Sequence, residues 1–196
     1  MTILMIGLAI FLGVHSVRIV AGRWRQAQIA RRGEASWKLG YSVLSAVGLG
    51  LIVWGYGVAR HAPVVLWNPP AGMRHAAGLL TLFAFILLAA AYVPRNHLKA
   101  RFHHPMVLSV KVWAAAHLLA NGTLADVLLF GGFLAWAVLA FIAERRRDRR
   151  AATSYAAGSA QGTLTAVLGG TVAWAVFAFW LHGLLIGVMP FRSGAG

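Results

Sequence analysis

Eight histidines and no cysteine set the chemistry open to this chain. The histidines are His15, His61, His75, His97, His103, His104, His117 and His182. Without thiols there is no disulfide, thiolate ligand or cysteine nucleophile, and an iron–sulfur cluster or zinc ribbon has nothing to hold it. Any metal must rest on imidazole, carboxylate or backbone oxygen. His61, His97 and His103 fall at the edges of apolar stretches and read as interfacial polar residues, as does His104 beside Pro105. His15 in "GVHSVR" and His117 in "WAAAHLLANG" lie inside apolar stretches instead. An ionisable group in hydrocarbon is costly and faces the interior of a helix bundle. Its imidazole either bonds a carbonyl of a neighbouring helix or ligates a metal or haem, and both readings stay open. His75 and His182 lie nearer the ends of their stretches.

The elements that must carry these residues are membrane helices. Of the 196 residues 60% are apolar and 11% charged, with a mean hydropathy of +0.72. A soluble domain carries about 25% charged residues. Runs such as "LLTLFAFILLAAAYV" are too long and too uniform for a β-barrel, whose strands alternate at period 2. The expected fold is all-α, a polytopic bundle of about six helices forming a single domain over residues 1–196. The spans are expected near Thr2–Ala21, Leu39–Ala59, Arg74–Val93, Pro105–Asn121, Leu124–Ala143 and Leu164–Val188. The fourth is the shortest and the most polar. The first lacks the basic start and small-residue cleavage site of a signal peptide and is kept as a span.

Charge gives the orientation. The net charge is +14. Thirteen of the 18 basic residues sit in the segments Gly22–Lys38, Pro94–His104 and Glu144–Gly162. The other side holds Arg60, Arg74 and Arg192. Cations beside apolar spans serve topology and anionic lipid headgroups, so no nucleic acid is expected. The three rich segments then face the cytoplasm and both termini are periplasmic. Locally, Asn121-Gly122 is expected to stop helix four in the left-handed conformation. Thr123 and Asp126 read as a capping box for helix five. Pro105 suits a first helical turn.

Spacing constrains any shared site. His104 and His117 lie about 140° apart around a helix, whereas His104 and Lys111 share a face. Lys111 can snorkel to the headgroups or meet an anion such as a haem propionate, and Arg18, one turn after His15, can do the same. His15 lies roughly 20 Å from the external end of its span and His117 about 8 Å from the end of its own. Two ligands of one iron need similar depth, so tilt or a displaced fourth helix must supply the difference. Otherwise His117 partners His75 or His182.

"HSVR", "HHPMVLSVKVWAAAHLLANGTLADVLLFGGFLAW" and "LHGLLIGVMPF" resemble the NnrU family over nearly the whole chain. That family comprises bacterial integral membrane proteins named for an association with denitrification. It shares its domain with the plant enzyme 15-cis-ζ-carotene isomerase. The resemblance implies a multi-pass protein of the bacterial inner membrane with a haem b held by two histidines, which match His15 and His117. Arg18, Lys111 and His104 join them as candidate cofactor-binding residues. It further implies redox or double-bond isomerase activity on a hydrophobic small molecule. A membrane assembly factor for nitrogen-oxide reduction, working through a membrane-protein partner, is the non-enzymatic alternative. The plant enzyme's cysteine before its second histidine has no counterpart here, where Ala114 stands three residues before His117. "HHPM" also resembles the "RHP" of integral-membrane methyltransferases that use S-adenosylmethionine, which would place a cofactor near His104. Those enzymes carry a later pair of glutamates, and here Glu144 has no second glutamate beside it.

Overall fold

The computed structural model of the chain describes residues 1–191; Arg192, assigned above to the external side, lies outside them. The described residues form eight helices and no strands. They are α1 (Thr2–Val20), α2 (Gly22–Arg32), α3 (Glu34–Ala59), α4 (Met73–Tyr92), α5 (His97–Phe102), α6 (Pro105–Ala120), α7 (Leu124–Ala151) and α8 (Ala160–Ile186). Five of them, α1, α3, α4, α7 and α8, are long and apolar enough to cross a membrane. The chain is a multi-pass membrane protein. All six expected spans are helical, and the fourth, α6, is the shortest at 16 residues. At 1.5 Å per residue it covers about 24 Å, less than a typical ~30 Å hydrocarbon core.

Three expectations change. The basic segment after α1 is not a loop but the helix α2, four of whose eleven residues are arginines and none of whose residues is buried. The segment Pro94–His104 contains the short helix α5. The third basic segment begins as a continuation of α7 to Ala151, because "ERRRDRR" has good helix formers and no glycine or proline before Gly158. Two long helices also contain a π turn, at Val127–Gly131 in α7 and Phe177–Leu181 in α8.

The helices divide into two compact units. The first holds residues 1–68 and 122–143. Its centre is the pair α1 and α3, which run antiparallel, since Leu4 meets Gly55, Gly7 meets Ile52 and Phe11 meets Gly48. Backbone approaches backbone there. A Cβ on Gly7 would stand 2.6 Å from the Ile52 amide nitrogen, and one on Gly48 2.8 Å from that of Phe11. Close approach through small residues is how helices associate where lipid competes for apolar surface.

The start of α7 is fixed by the expected capping box. Thr123 Oγ1 accepts from the Asp126 amide at 3.3 Å, and Asp126 Oδ2 accepts from the Thr123 amide at 2.9 Å. Tyr56 on α3 donates to Asp126 Oδ1 at 2.6 Å. The preceding turn is not left-handed. Asn121 is extended at φ −132°, ψ 142°, and Gly122 has no positive φ. Gly122 is required for a different reason: its carbonyl accepts from the Leu66 and Trp67 amides, and a Cβ there would collide with the Trp67 carbonyl.

The second unit holds residues 69–121 and 144 onwards. In it α4 packs against α6 and α8, and Gly170 of α8 lies on the backbone of Ile86, where a Cβ would stand 2.5 Å from Cα. Trp174 Nε1 of α8 donates to Thr81 Oγ1 of α4 at 3.2 Å. At one end Asn96, 1% exposed, caps α5 by accepting from the Lys99 amide at 2.7 Å and donates to the Ala90 carbonyl of α4 at 2.9 Å. Ser159 caps α8 and donates to the Arg95 carbonyl.

Gly55→Val should lower stability by about 1–3 kcal/mol through overpacking, because the backbone of Leu4 already occupies the added volume. Gly13→Ala, where nothing lies within 4 Å, should be neutral or slightly stabilising. Thermal unfolding of both variants in detergent checks the contrast.

Candidate functional site

His15 sits in the last third of α1, where three helices of the first unit meet. Its ring stacks on Phe11 at 4.1 Å between centroids, with Tyr41 of α3 at 5.2 Å and Trp136 of α7 at 6.0 Å and nearly perpendicular. Phe133 of α7 closes on Phe11 at 5.7 Å. His15 Nδ1 donates to the Phe11 carbonyl at 2.7 Å. A carbonyl only accepts, so Nδ1 carries a proton, and Nε2 is the nitrogen at which the neutral ring would ligate. That is the form in which histidine binds metals, with the second nitrogen orienting the ring. Trp136 Nε1, in the same cluster, is buried with no hydrogen-bond partner. Arg18, in the last turn of α1, is exposed, where its charge suits the helix C-terminus.

His117, in the second unit, has the same tether. Its Nδ1 donates to the Trp113 carbonyl at 2.8 Å, and its ring lies 5.1 Å from that of Trp113. Asn121 closes the helix by donating to the His117 carbonyl from its amide at 2.9 Å and from Nδ2 at 2.8 Å. Lys111, two turns earlier, is half-buried. The site candidates thus fall into two groups: His15 and Arg18 in the first unit, and His104, Lys111 and His117 in the second. Two imidazoles, each with Nδ1 tied to its own helix and with an aromatic ring beside it, would in their neutral form have the donor chemistry of haem axial ligands. Among the described residues no three histidine, aspartate or glutamate side chains gather to hold a bare metal ion. The remaining histidines are engaged or exposed. His97 bonds Thr163 Oγ1 at 2.8 Å, and His182 Nδ1 donates to the Val188 carbonyl at 2.7 Å. His61 and His75 are exposed.

His104 belongs to a different arrangement, of which sequence reasoning missed two members. Its Nε2 donates to Asp148 Oδ2 at 2.6 Å, and Tyr155 donates to the same oxygen at 2.8 Å. Its Nδ1 is 3.9 Å from Glu144, which pairs with Arg147. His103, at φ 67°, turns its ring onto Tyr155 at 4.1 Å and bonds Arg145. Far from being a loose interfacial residue, His104 is 14% exposed and latches the start of α6 to the end of α7. The overlooked signal was scarcity. The chain has four acids, and Glu144 and Asp148 stand four apart, on one helical face. Burial, with the hydrogen bond to Asp148 and the negative charges of Asp148 and Glu144, pushes the Tyr155 hydroxyl up to about 12, against a partial offset from Arg145.

The fold therefore prefers neutral Tyr155. Its contribution is complete below pH 10, the ordinary tyrosine value, and is lost as pH rises from there towards 12. Tyr155→Phe should cost about 1 kcal/mol at neutral pH and should flatten that alkaline loss. Unfolding temperatures in detergent across the pH range give the comparison.

No curated protein and no solved structure matches the chain. The family model described as "NnrU protein" matches residues 3–190, which takes in His15, His117 and the whole latch at His104. On that match the chain belongs to the NnrU family.

Proposed function

We propose that this chain is a haem-b protein of the bacterial inner membrane, with His15 as the iron ligand best supported by geometry and His117 as the second candidate. The observation that carries the reading is the tether of His15 Nδ1 to Phe11 within a cage of aromatic rings. It fixes the tautomer and orients Nε2 before any metal arrives. Phe11, Tyr41 and Trp136 place aromatic rings 4.1–6.0 Å from the imidazole, and Phe133 packs on Phe11. Arg18 is the cation proposed to meet a carboxylate of a haem held at His15, and Lys111 that of a haem held at His117. When bound, the group supplies an iron for electron transfer or for reversible weakening of a double bond. The proposed substrate is a hydrophobic small molecule that enters from the bilayer, in carotenoid or nitrogen-oxide chemistry.

One observation favours a second reading, a membrane assembly factor for nitrogen-oxide reduction. Gly169 of α8 has nothing within 4 Å and lies between exposed Leu168 and Val172, a surface on which another helix can pack closely. Methyl transfer loses support, because the His104 ring it would use is bonded to Asp148.

Absorption spectra of the detergent-purified protein test the main reading. A Soret band with sharp α and β bands on dithionite reduction, lost in His15→Ala, is the expected result, and His117→Ala shows whether the second imidazole ligates. A protein that stays colourless when made with ample haem ends it. The proposed topology puts the basic segments in the cytoplasm and both termini in the periplasm. As the chain has no cysteine, Ala71→Cys should react with an impermeant thiol reagent on intact spheroplasts. Gln26→Cys should react only after the membrane is opened. The reverse pattern inverts the topology.

A further inference from the structure

We infer that Trp136 is a positioning residue for the ligand at His15, its indole N–H donating to a carboxylate oxygen of that ligand. The inference rests on the haem reading, in which the carboxylates are the propionates. Trp136 Nε1 is buried and has no hydrogen-bond partner among the described residues. Indole nitrogen is a donor only, and within hydrocarbon no water satisfies it. A phenylalanine would fill apolar space at that position without this cost, as Phe11 and Phe133 do beside it. Another tryptophan of the chain satisfies the same donor internally. Trp174, in the other apolar helix with a π turn, gives its Nε1 to Thr81. Trp136 has no such partner among the described residues, and its ring stands edge-on to the His15 imidazole at 6.0 Å between centroids.

Carboxylate is the acceptor of choice because a hydrogen bond to an ionised oxygen is about twice as strong as one to a neutral oxygen. On haem it is also the only acceptor left once iron holds the four ring nitrogens. Arg18 lies one turn beyond His15 on α1 and adds positive charge on the same helix.

The test is a haemin titration of the full chain in detergent, followed at the Soret band, for the wild type, Trp136→Phe and a variant with the benzothiophene isostere at 136. The isostere keeps the shape of tryptophan and lacks the N–H. Both variants should bind haemin about tenfold more weakly, with apo unfolding temperatures no lower for the isostere than for the wild type. Haemin dimethyl ester should bind wild type and isostere alike. Ultraviolet resonance Raman should show an indole band sensitive to N–H hydrogen bonding that shifts on haemin addition in the wild type and not in Trp136→Phe. Haemin bound through His15 with equal affinity in the isostere and no Raman shift overturns the inference and leaves the haem reading standing. An equal loss for haemin and its ester assigns Trp136 to shape alone and also overturns it. No Soret band in the wild type overturns both.

Discussion

Asp126 is the constraint around which the first unit is arranged. It is 4% exposed in a helix otherwise apolar enough to cross a membrane, where an unsatisfied carboxylate is costly. Three donors meet it: the Thr123 amide, the Thr123 hydroxyl and the Tyr56 hydroxyl. The first two belong to its own turn and fix where α7 begins. The third comes from α3 and fixes where α7 stands against the α1–α3 pair. Once that end is set, the helix delivers Phe133 and Trp136 to the rings around His15. A single polar contact thus sets the placement of an apolar cage lower in the same helix, while glycine contacts hold α1 and α3 close enough for both to line it.

The second unit uses the same division of labour. Along its helices the contacts include the close approach at Gly170, the Phe85–Phe177 ring pair and the Trp174–Thr81 bond. Its end is held by short polar side chains: Asn96, Ser159 and Thr163 lace α4, α5 and α8 together. The His104–Asp148–Tyr155 latch joins α6 to the extension of α7. Each acid is matched to a specific donor, which is what a chain with four acids and eighteen strong bases can sustain.

The spans were legible in the sequence because hydrocarbon imposes a long-range rule, about twenty apolar residues per crossing. Local chemistry marked the Pro105 start and the Thr123–Asp126 box in the same way. α2 was missed because arginine-rich segments were read for charge and not for helix propensity, and "GRWRQAQIARR" contains nothing to break a helix. The Asn121-Gly122 stop was placed correctly with the wrong geometry. Glycine there accommodates the backbone of Trp67, a contact between residues more than fifty positions apart that no local rule encodes. His15 was legible as an unusual residue. Its Phe11 tether and the unpaired nitrogen of Trp136 were not, since both depend on rotamers and on which faces of α1, α3 and α7 meet. Asp148 and Tyr155 were hidden for a similar reason: their partner, His104, lies about fifty residues away.

The first unit is discontinuous in the chain: residues 1–68 and then 122–143. Synthesis proceeds at roughly 5–20 residues per second, so about 4–17 s separate the emergence of α3 from that of the last residue of α7 in this unit. During that interval the α1–α3 pair is already in the bilayer with Tyr56 lacking its carboxylate and His15 lacking its tryptophan. Much of the second unit is inserted in between. Assembly order therefore leaves the face of the α1–α3 pair that carries Phe11, His15 and Tyr41 turned to lipid until α7 brings Phe133 and Trp136 against it.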